Sequence, residues 1–268
     1  MEKNEKRFNT IILSRKESIA TITLNRPEVL NALSPQMFQD LTDAFDELAK
    51  DDTVRVVVMT GEGRAFCSGG DVQLDVAAIS HMSAFEWREY MRGQHALIMK
   101  IAQIEKPVIA AINGVAVGGG CDLALASDIR IASEKARLGQ VYIRMGIAPD
   151  LGGAYFLPRL VGSGRAKLLI FTGDLIDARE AESMGLVDKV VPAEELESTV
   201  GDLAKRLSKG PTKAIAMAKV AINRSLNMDL ESALDYVGNL NFSLLQTDDY
   251  KEGFKAFLEK REPVFRGR

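Results

Sequence analysis

GVAVGGGCDLA, Gly114 to Ala124, sets three consecutive glycines where a helix is about to begin. Glycine costs a helix about 1 kcal/mol per residue relative to alanine. A run of three marks a place where bare backbone is needed. The apolar run before it, PVIAAING from Pro107, reads as a buried strand. A second stretch has the same plan. VRVVVMTG, Val54 to Gly61, reads as a buried strand, and AFCSGGD, Ala65 to Asp71, follows as a loop with Gly69 and Gly70 at its turn. N–H groups at a helix start have no acceptor inside the helix and carry partial positive charge, so they bind anions. Two of them converging on one point would make an oxyanion hole. The alternative for each loop is a tight turn and nothing more, and spacing alone leaves convergence open.

Outward from these loops, FNTIILSRKESIATITLN reads as two strands around a turn at Arg15 to Glu17, rich in Ile and Thr. After RPEVLNALS comes a helix with Ser34 as its N-cap and Pro35 at its first position. Met37, Leu41, Ala44, Phe45 and Leu48 then recur at helical spacing. A long helix is expected near residues 84–104, ending before Pro107, and another strand in DIRIAS, Asp128 to Ser133. Alternating strands and helices mark an α/β fold. From about residue 195 the strand signals fade. The chain divides softly into an α/β core over residues 1–195 and a helical C-terminal region over residues 196–268, with no internal repeat and no low-complexity linker.

Composition excludes several function classes. The chain has 268 residues, 46% hydrophobic and 26% charged, ordinary values for a globular protein with a sizeable core. A net charge of −3 supplies no bulk cationic field for nucleic acid or an anionic membrane. The longest apolar runs are too short and interrupted to span a bilayer. The N-terminal MEKNEKRFNTIIL lacks the apolar centre of a signal peptide. Cys67 and Cys121 make no disulfide framework, so a cytoplasmic location is expected. His81 and His95, without paired cysteines, leave no zinc site. There is no G-x-x-x-x-G-K-[ST] phosphate loop, GVAVGGG lacks dinucleotide G-x-G-x-x-G spacing, and no G-x-S-x-G nucleophile elbow exists.

NRPEVLNAL, AFCSGGD, KPVIAAINGVAVGGGCDLALASDIRIAS, GIAPDLGGAYFLPRLVG and EGFKAFLEKREPVF, in this order from about Ile11 to Phe265, resemble the crotonase superfamily of enoyl-CoA hydratases and isomerases. The resemblance implies a spiral of ββα units, a helical C-terminal trimerisation region, and a homotrimer or a pair of trimers. It also implies an acyl-CoA thioester substrate and no separate cofactor, since coenzyme A is part of that substrate. By the same resemblance the backbone N–H groups of Gly70 and Gly119 hold the thioester oxygen as it becomes an enolate. Ser68, Asp71 and Val72 match positions around the adenine and pantetheine of CoA. Phe257 and Lys260 match C-terminal positions that close over CoA, often from a neighbouring subunit; the alternative for Lys260 is a solvated charge.

An enolate mechanism also needs a proton carrier, and carboxylates serve when burial raises their pKa toward the working pH. The family's ordinary hydratases use two glutamates. The first position is Asp122 here and the second is Tyr142, an arrangement that argues against plain hydration. Asp150, in GIAPDLGG, stands where ordinary hydratases carry glycine. Relatives with aspartate there include dienoyl-CoA isomerases, the ring-epoxide isomerase of phenylacetyl-CoA breakdown, and 4-chlorobenzoyl-CoA dehalogenase. His95, twelve residues before Pro107, matches the dehalogenase's catalytic histidine, and Tyr142 replaces an aromatic residue of that enzyme. The plainer readings are a helix N-cap for Asp150, a first-turn acid for Asp122, a packing histidine for His95, and small packing residues for Cys67 and Cys121.

The favoured reading is an acyl-CoA isomerase with Asp150 as proton carrier, assisted by Asp122. The rivals are an enoyl-CoA hydratase using Asp122 and Asp150 on water, a dehalogenase-like hydrolase using Asp150 and His95, and a non-catalytic CoA- or RNA-binding scaffold.

Overall fold

The computed structural model describes residues 4–79 and 81–267. Among them eleven strands form two sheets. In chain order these are β1 (Asn4–Arg7), β2 (Ile11–Lys16), β3 (Ile19–Leu24), β4 (Val56–Gly61), β5 (Ala65–Cys67), β6 (Val108–Ile112), β7 (Val115–Val117), β8 (Ile129–Ser133), β9 (Arg137–Gly139), β10 (Ile176–Asp177) and β11 (Lys189–Val191). The larger sheet runs β1-β2-β3-β4-β6-β8-β11 and the smaller β10-β9-β7-β5. The larger sheet is antiparallel from β1 to β3 and parallel from β3 to β11. In the smaller sheet β5, β7 and β9 are parallel and β10 is antiparallel to β9.

Three times in succession the chain lays one strand in the larger sheet, turns, lays a short strand in the smaller sheet, and enters a helix. β4 and β5 lead to the helix Val72–Ile79. β6 and β7 lead to Gly119–Ala126. β8 and β9 lead to the 3-10 turn Val141–Met145 and then to the helix Gly153–Val161. This is the expected α/β spiral of ββα units. The repeat is one of geometry, which is why no repeat is visible in the residues themselves.

Local chemistry explains the elements that hold this frame. Ser34 Oγ accepts from the Met37 N–H at 3.2 Å and Pro35 opens the helix Pro35–Lys50, so an otherwise orphaned donor is satisfied where the chain turns. Met37, Leu41, Ala44, Phe45 and Leu48 are buried along that helix as its spacing requires. The helix Ala84–Gln103 starts on a capping box between Ser83 and Glu86. In the β2–β3 hairpin the turn falls later than the sequence predicts: β2 runs to Lys16, and Glu17 takes the left-handed conformation at φ 55°. AFC, read as loop, is the strand β5, too short to show periodicity. The charged N-terminal segment forms β1, whose exposed Glu5, Lys6 and Arg7 protect a sheet edge from unwanted pairing.

The apolar run in β4 is buried on both faces. Val57 and Met59 join the main core with the helix Pro35–Lys50. Val56 and Val58 pack with Ile109, Ala111 and Ile131 beneath Val200 and Ala204 of the helix Leu196–Ser208. Three further helices follow: Thr212–Ser225, Leu230–Leu244 and Asp248–Glu259. Lys219 ties the first of them to the core through Asp128 Oδ2 at 2.7 Å and the Lys106 carbonyl at 3.1 Å. Their outer faces leave Ile222, Leu234, Phe242 and Phe254 exposed. Among the described residues no helix is long and apolar enough to cross a membrane.

Candidate active site

The order β9-β7-β5 in the smaller sheet sets three parallel strand ends side by side. The first glycine loop leaves β5, the second leaves β7, and the segment Gln140–Tyr142 leaves β9. Residues far apart in sequence therefore meet at one edge, the usual location of sites in parallel sheets.

The two glycine loops touch. A Cβ built on Gly69 would lie 2.9 Å from the Val117 carbonyl oxygen and 3.4 Å from the Gly119 nitrogen. The first loop is held from below by the NRPEVLNAL segment. Leu33 N–H donates to the Gly69 carbonyl at 2.8 Å, Asp71 N–H donates to the Leu33 carbonyl at 2.9 Å, and Ser68 N–H donates to the Leu30 carbonyl at 3.0 Å. In a parallel bridge to Leu33 these bonds use the neighbours of Gly70, so the Gly70 N–H points away from Leu33. Gly119 is the first residue of its helix, so its N–H has no intrahelical acceptor.

The three glycines have three different reasons. Gly118 takes φ 53° and ψ −126°, closed to other residues. A Cβ on Gly119 would meet Leu151 Cδ1 at 2.9 Å and Leu33 Cδ1 at 3.0 Å, with the Tyr142 hydroxyl at 3.7 Å. A Cβ on Gly120 would lie 2.1 Å from the Cys67 carbonyl oxygen.

Asp122, in the first turn of the same helix, is fully buried. Both of its oxygens are taken: Gln140 Nε2 donates to Oδ1 at 2.7 Å and the Tyr142 hydroxyl donates to Oδ2 at 2.7 Å. Burial pushes its pKa up to about 6, against the pull of those two hydrogen bonds. Asp150 is only partly buried, and burial raises its pKa too, opposed in part by its own backbone N–H and by the nearby His95 and Tyr142 side chains. The adjacent helix takes Gly152 as its N-cap, so Asp150 is not spent on capping. His95 is exposed, and its Nε2 lies 2.8 Å from the Asp150 backbone carbonyl, where it steadies the turn that carries the carboxylate. The cluster thus combines two backbone donors with two carboxyl groups of raised pKa, Asp122 bonded to the Tyr142 hydroxyl and Asp150 near it. Such a set can hold an oxygen that gains negative charge and move a proton beside it.

Comparison with known proteins decides the assignment. The family model described as Enoyl-CoA hydratase/isomerase matches residues 14–268. The chain belongs to the enoyl-CoA hydratase/isomerase family. It is 41% identical over 260 residues to a crotonyl-CoA hydratase of Syntrophomonas wolfei, covering 96% of this chain and 98% of that protein. It is 36% identical over 258 residues to a 1,2-epoxyphenylacetyl-CoA isomerase of Escherichia coli, covering 96% and 98%. The solved enoyl-CoA hydratase of Bacillus anthracis superimposes with a TM-score of 0.91 at 36% identity, covering 97% of this chain and 100% of that one.

Within this hydratase/isomerase chain the remaining sequence candidates fall in two places. Ser68, Asp71 and Val72 surround the first glycine loop. Val72 is exposed, whereas the Asp71 carboxylate is buried and engaged, accepting from Arg26 Nη1 at 2.9 Å and from the Leu74 N–H at 3.4 Å. Phe257 and Lys260 lie on the last helix and its C-cap; Phe257 is 80% exposed. Cys67 and Cys121 are buried, and burial pushes both thiols up to about 12, so neither is a nucleophile at neutral pH.

Two members of the site escaped the sequence reading. Gln140 fixes Asp122 Oδ1. Gly153 leaves room for the pair, since a Cβ there would stand 2.5 Å from Asp122 Oδ1 and 2.7 Å from Gln140 Oε1. The signal available was the GQVY run that follows β9, but its meaning depends on β9 lying beside β7.

Proposed function

We propose that this enzyme moves a carbon–carbon double bond in an unsaturated acyl-CoA thioester, with Asp150 as the proton carrier. The thioester oxygen sits between the N–H groups of Gly70 and Gly119, where developing enolate charge is stabilised. Asp150 takes a proton from one carbon beside the conjugated system and returns it to another, so proton and charge balance within one turnover. The observation that carries this reading is the engagement of Asp122. Both of its oxygens are bonded within the protein and the residue is shut off from solvent, whereas Asp150 is partly open. Tyr142 adds no second base, because burial and the neighbouring aspartates raise its pKa. In this reading the enzyme works in the cytoplasm as a trimer or a pair of trimers, and Phe257 and Lys260 of one copy close over the CoA bound to the next.

Hydration is the second reading, favoured by the similarity to the crotonyl-CoA hydratase. There Asp122 and Asp150 would position water together. One experiment separates the two: incubation with a 3-enoyl-CoA and with crotonyl-CoA in heavy water, with products separated chromatographically. Isomerisation gives a shifted double bond, and hydration gives a 3-hydroxyacyl product. Asp150→Asn is expected to lower isomerase turnover by about 10²–10⁴-fold, the usual worth of a positioned acid or base, with CoA affinity little changed. Asp122→Asn should do less damage. A dead Asp122→Asn beside an active Asp150→Asn reverses the assignment and favours hydration.

A further inference from the structure

We propose that Asn227, in the turn after the helix Thr212–Ser225, is a positioning residue that braces the turn carrying Asp150 through the helix Gly153–Val161. Its part in turnover rests on the reading of Asp150 as proton carrier; the brace itself is a property of the resting protein.

Lys219, Asn223 and Asn227 stand four residues apart, the spacing that keeps side chains on one face of a helix. Asn227 lies just past the helix end, and its N–H donates to the Arg224 carbonyl at 3.0 Å, so the turn stays tight. All three reach across to the α/β core. Lys219 and Asn223 hold the end of the helix Ala84–Gln103, where carbonyls have no intrahelical partner. Lys219 Nζ donates to the Ile101 carbonyl at 3.4 Å, and Asn223 Nδ2 donates to the Ala102 carbonyl at 3.1 Å. Asn227 holds the helix Gly153–Val161. Its Nδ2 donates to the Tyr155 hydroxyl at 3.1 Å, and its Oδ1 accepts from Arg159 Nη2 at 3.3 Å. Arginine can only donate, which fixes the orientation of the amide. The ring of contacts closes on itself. Arg159 Nη1 donates to the Tyr155 carbonyl at 2.9 Å, and the guanidinium carbon lies 3.5 Å from the centre of the Tyr155 ring.

The same two helices hold the Asp150 turn. His95, on the helix Ala84–Gln103, meets the Asp150 carbonyl at 2.8 Å. On the other side, the Tyr155 and Phe156 N–H groups both donate to the Gly152 carbonyl at 2.9 Å, so a shift of Tyr155 is passed one turn back toward Asp150. The backbone between the helices is closely packed. A Cβ on Gly152 would lie 2.8 Å from Phe156 Cε2 and 3.5 Å from Ile98 Cγ2. One segment of the C-terminal region thus fixes both helices, and Asn227 supplies its hold on the second. Tyr155 and Arg159 are exposed, so this hold adds little to overall stability. What it sets is where the first turn of a short helix places the carboxylate beside it.

The test uses the full-length enzyme in three variants: Asn227→Ala, Tyr155→Phe and the two together. Amide hydrogen exchange, read by mass spectrometry without substrate, should quicken over residues 146–157 in each variant and stay at the wild-type rate in β4. The kcat for double-bond migration should fall about 2–10-fold, the worth of one hydrogen bond, with KM little changed. The double variant should lose no more than either single one, because both substitutions break the same contact. Asn239→Ala removes a different side-chain bond of the C-terminal region, to the Asp235 carbonyl, and should leave both readouts unchanged. General loosening would quicken exchange in β4 and make the two losses add, and that result overturns the proposal. So does wild-type exchange over residues 146–157 in Asn227→Ala. Quickened exchange there with wild-type kcat keeps the brace and counts against Asp150 as the proton carrier, so the two readings fail separately.

Discussion

A methyl group on Gly120 would stand 2.1 Å from the carbonyl oxygen of Cys67. The first turn of the helix Gly119–Ala126 thus lies backbone to backbone on the end of β5, and this contact presses the two glycine loops together. Gly120→Ala must push them apart. Overpacking of this kind costs about 1–3 kcal/mol, and here it also separates the Gly70 and Gly119 donors. Urea unfolding and turnover measure the two effects. A variant with the wild-type midpoint and the wild-type rate would show that the close approach is dispensable.

Gly119→Pro removes a single N–H at a position where proline suits the helix backbone, the first helical residue. Loss of one donor to a developing oxyanion costs about 2.7–4 kcal/mol of transition-state stabilisation. The proline ring also meets Leu33 and Leu151, so circular dichroism must accompany the assay. A folded variant with near wild-type rate would refute the role given to this backbone donor.

Asp122 makes the enzyme's stability depend on pH in an unusual direction. Burial holds its pKa up at about 6, against 3.8 when unperturbed. As pH rises, the unfolded chain releases this proton before the folded one. Stability therefore falls between about pH 4 and pH 6 and stays lowered above that window. A shift of two units corresponds to about 3 kcal/mol. Asp122→Asn is then expected to be more stable than wild type near pH 8, with the advantage gone near pH 4. The introduced amide keeps an acceptor for Tyr142, and after an amide turn Gln140 Oε1, which is buried without a partner among the described residues, can accept its N–H. Equal unfolding midpoints at the higher pH would contradict this account.

The C-terminal helices carry exposed Ile222, Leu234, Phe242 and Phe254. The proposed assembly would cover this apolar area between copies. Sedimentation at micromolar concentration is expected to show a trimer or hexamer. A monomer would remove the assembly and, with it, the reach of Phe257 and Lys260 into a neighbouring site.

Much of the frame is written locally. Ser34 and Pro35 start a helix because a side-chain oxygen and a missing N–H act within one turn of chain. Met37 to Leu48 face inward because their spacing matches the helical period. The glycine loops are legible because left-handed or crowded backbone admits few other residues. What sequence alone left open depends on strand order. β5, β7, β9 and β10 are two or three residues long, below the length at which alternation is informative, and they exist because long-range pairing holds them. That pairing sets SGG, GGG and Gln140–Tyr142 side by side. It also separates the two aspartates: Asp122 and Asp150 are alike in sequence, yet one is sealed beneath Gln140 and Tyr142 and the other is partly open. Composition and spacing supply the acids. Only burial and hydrogen bonding, which are properties of the packed chain, set them in different surroundings.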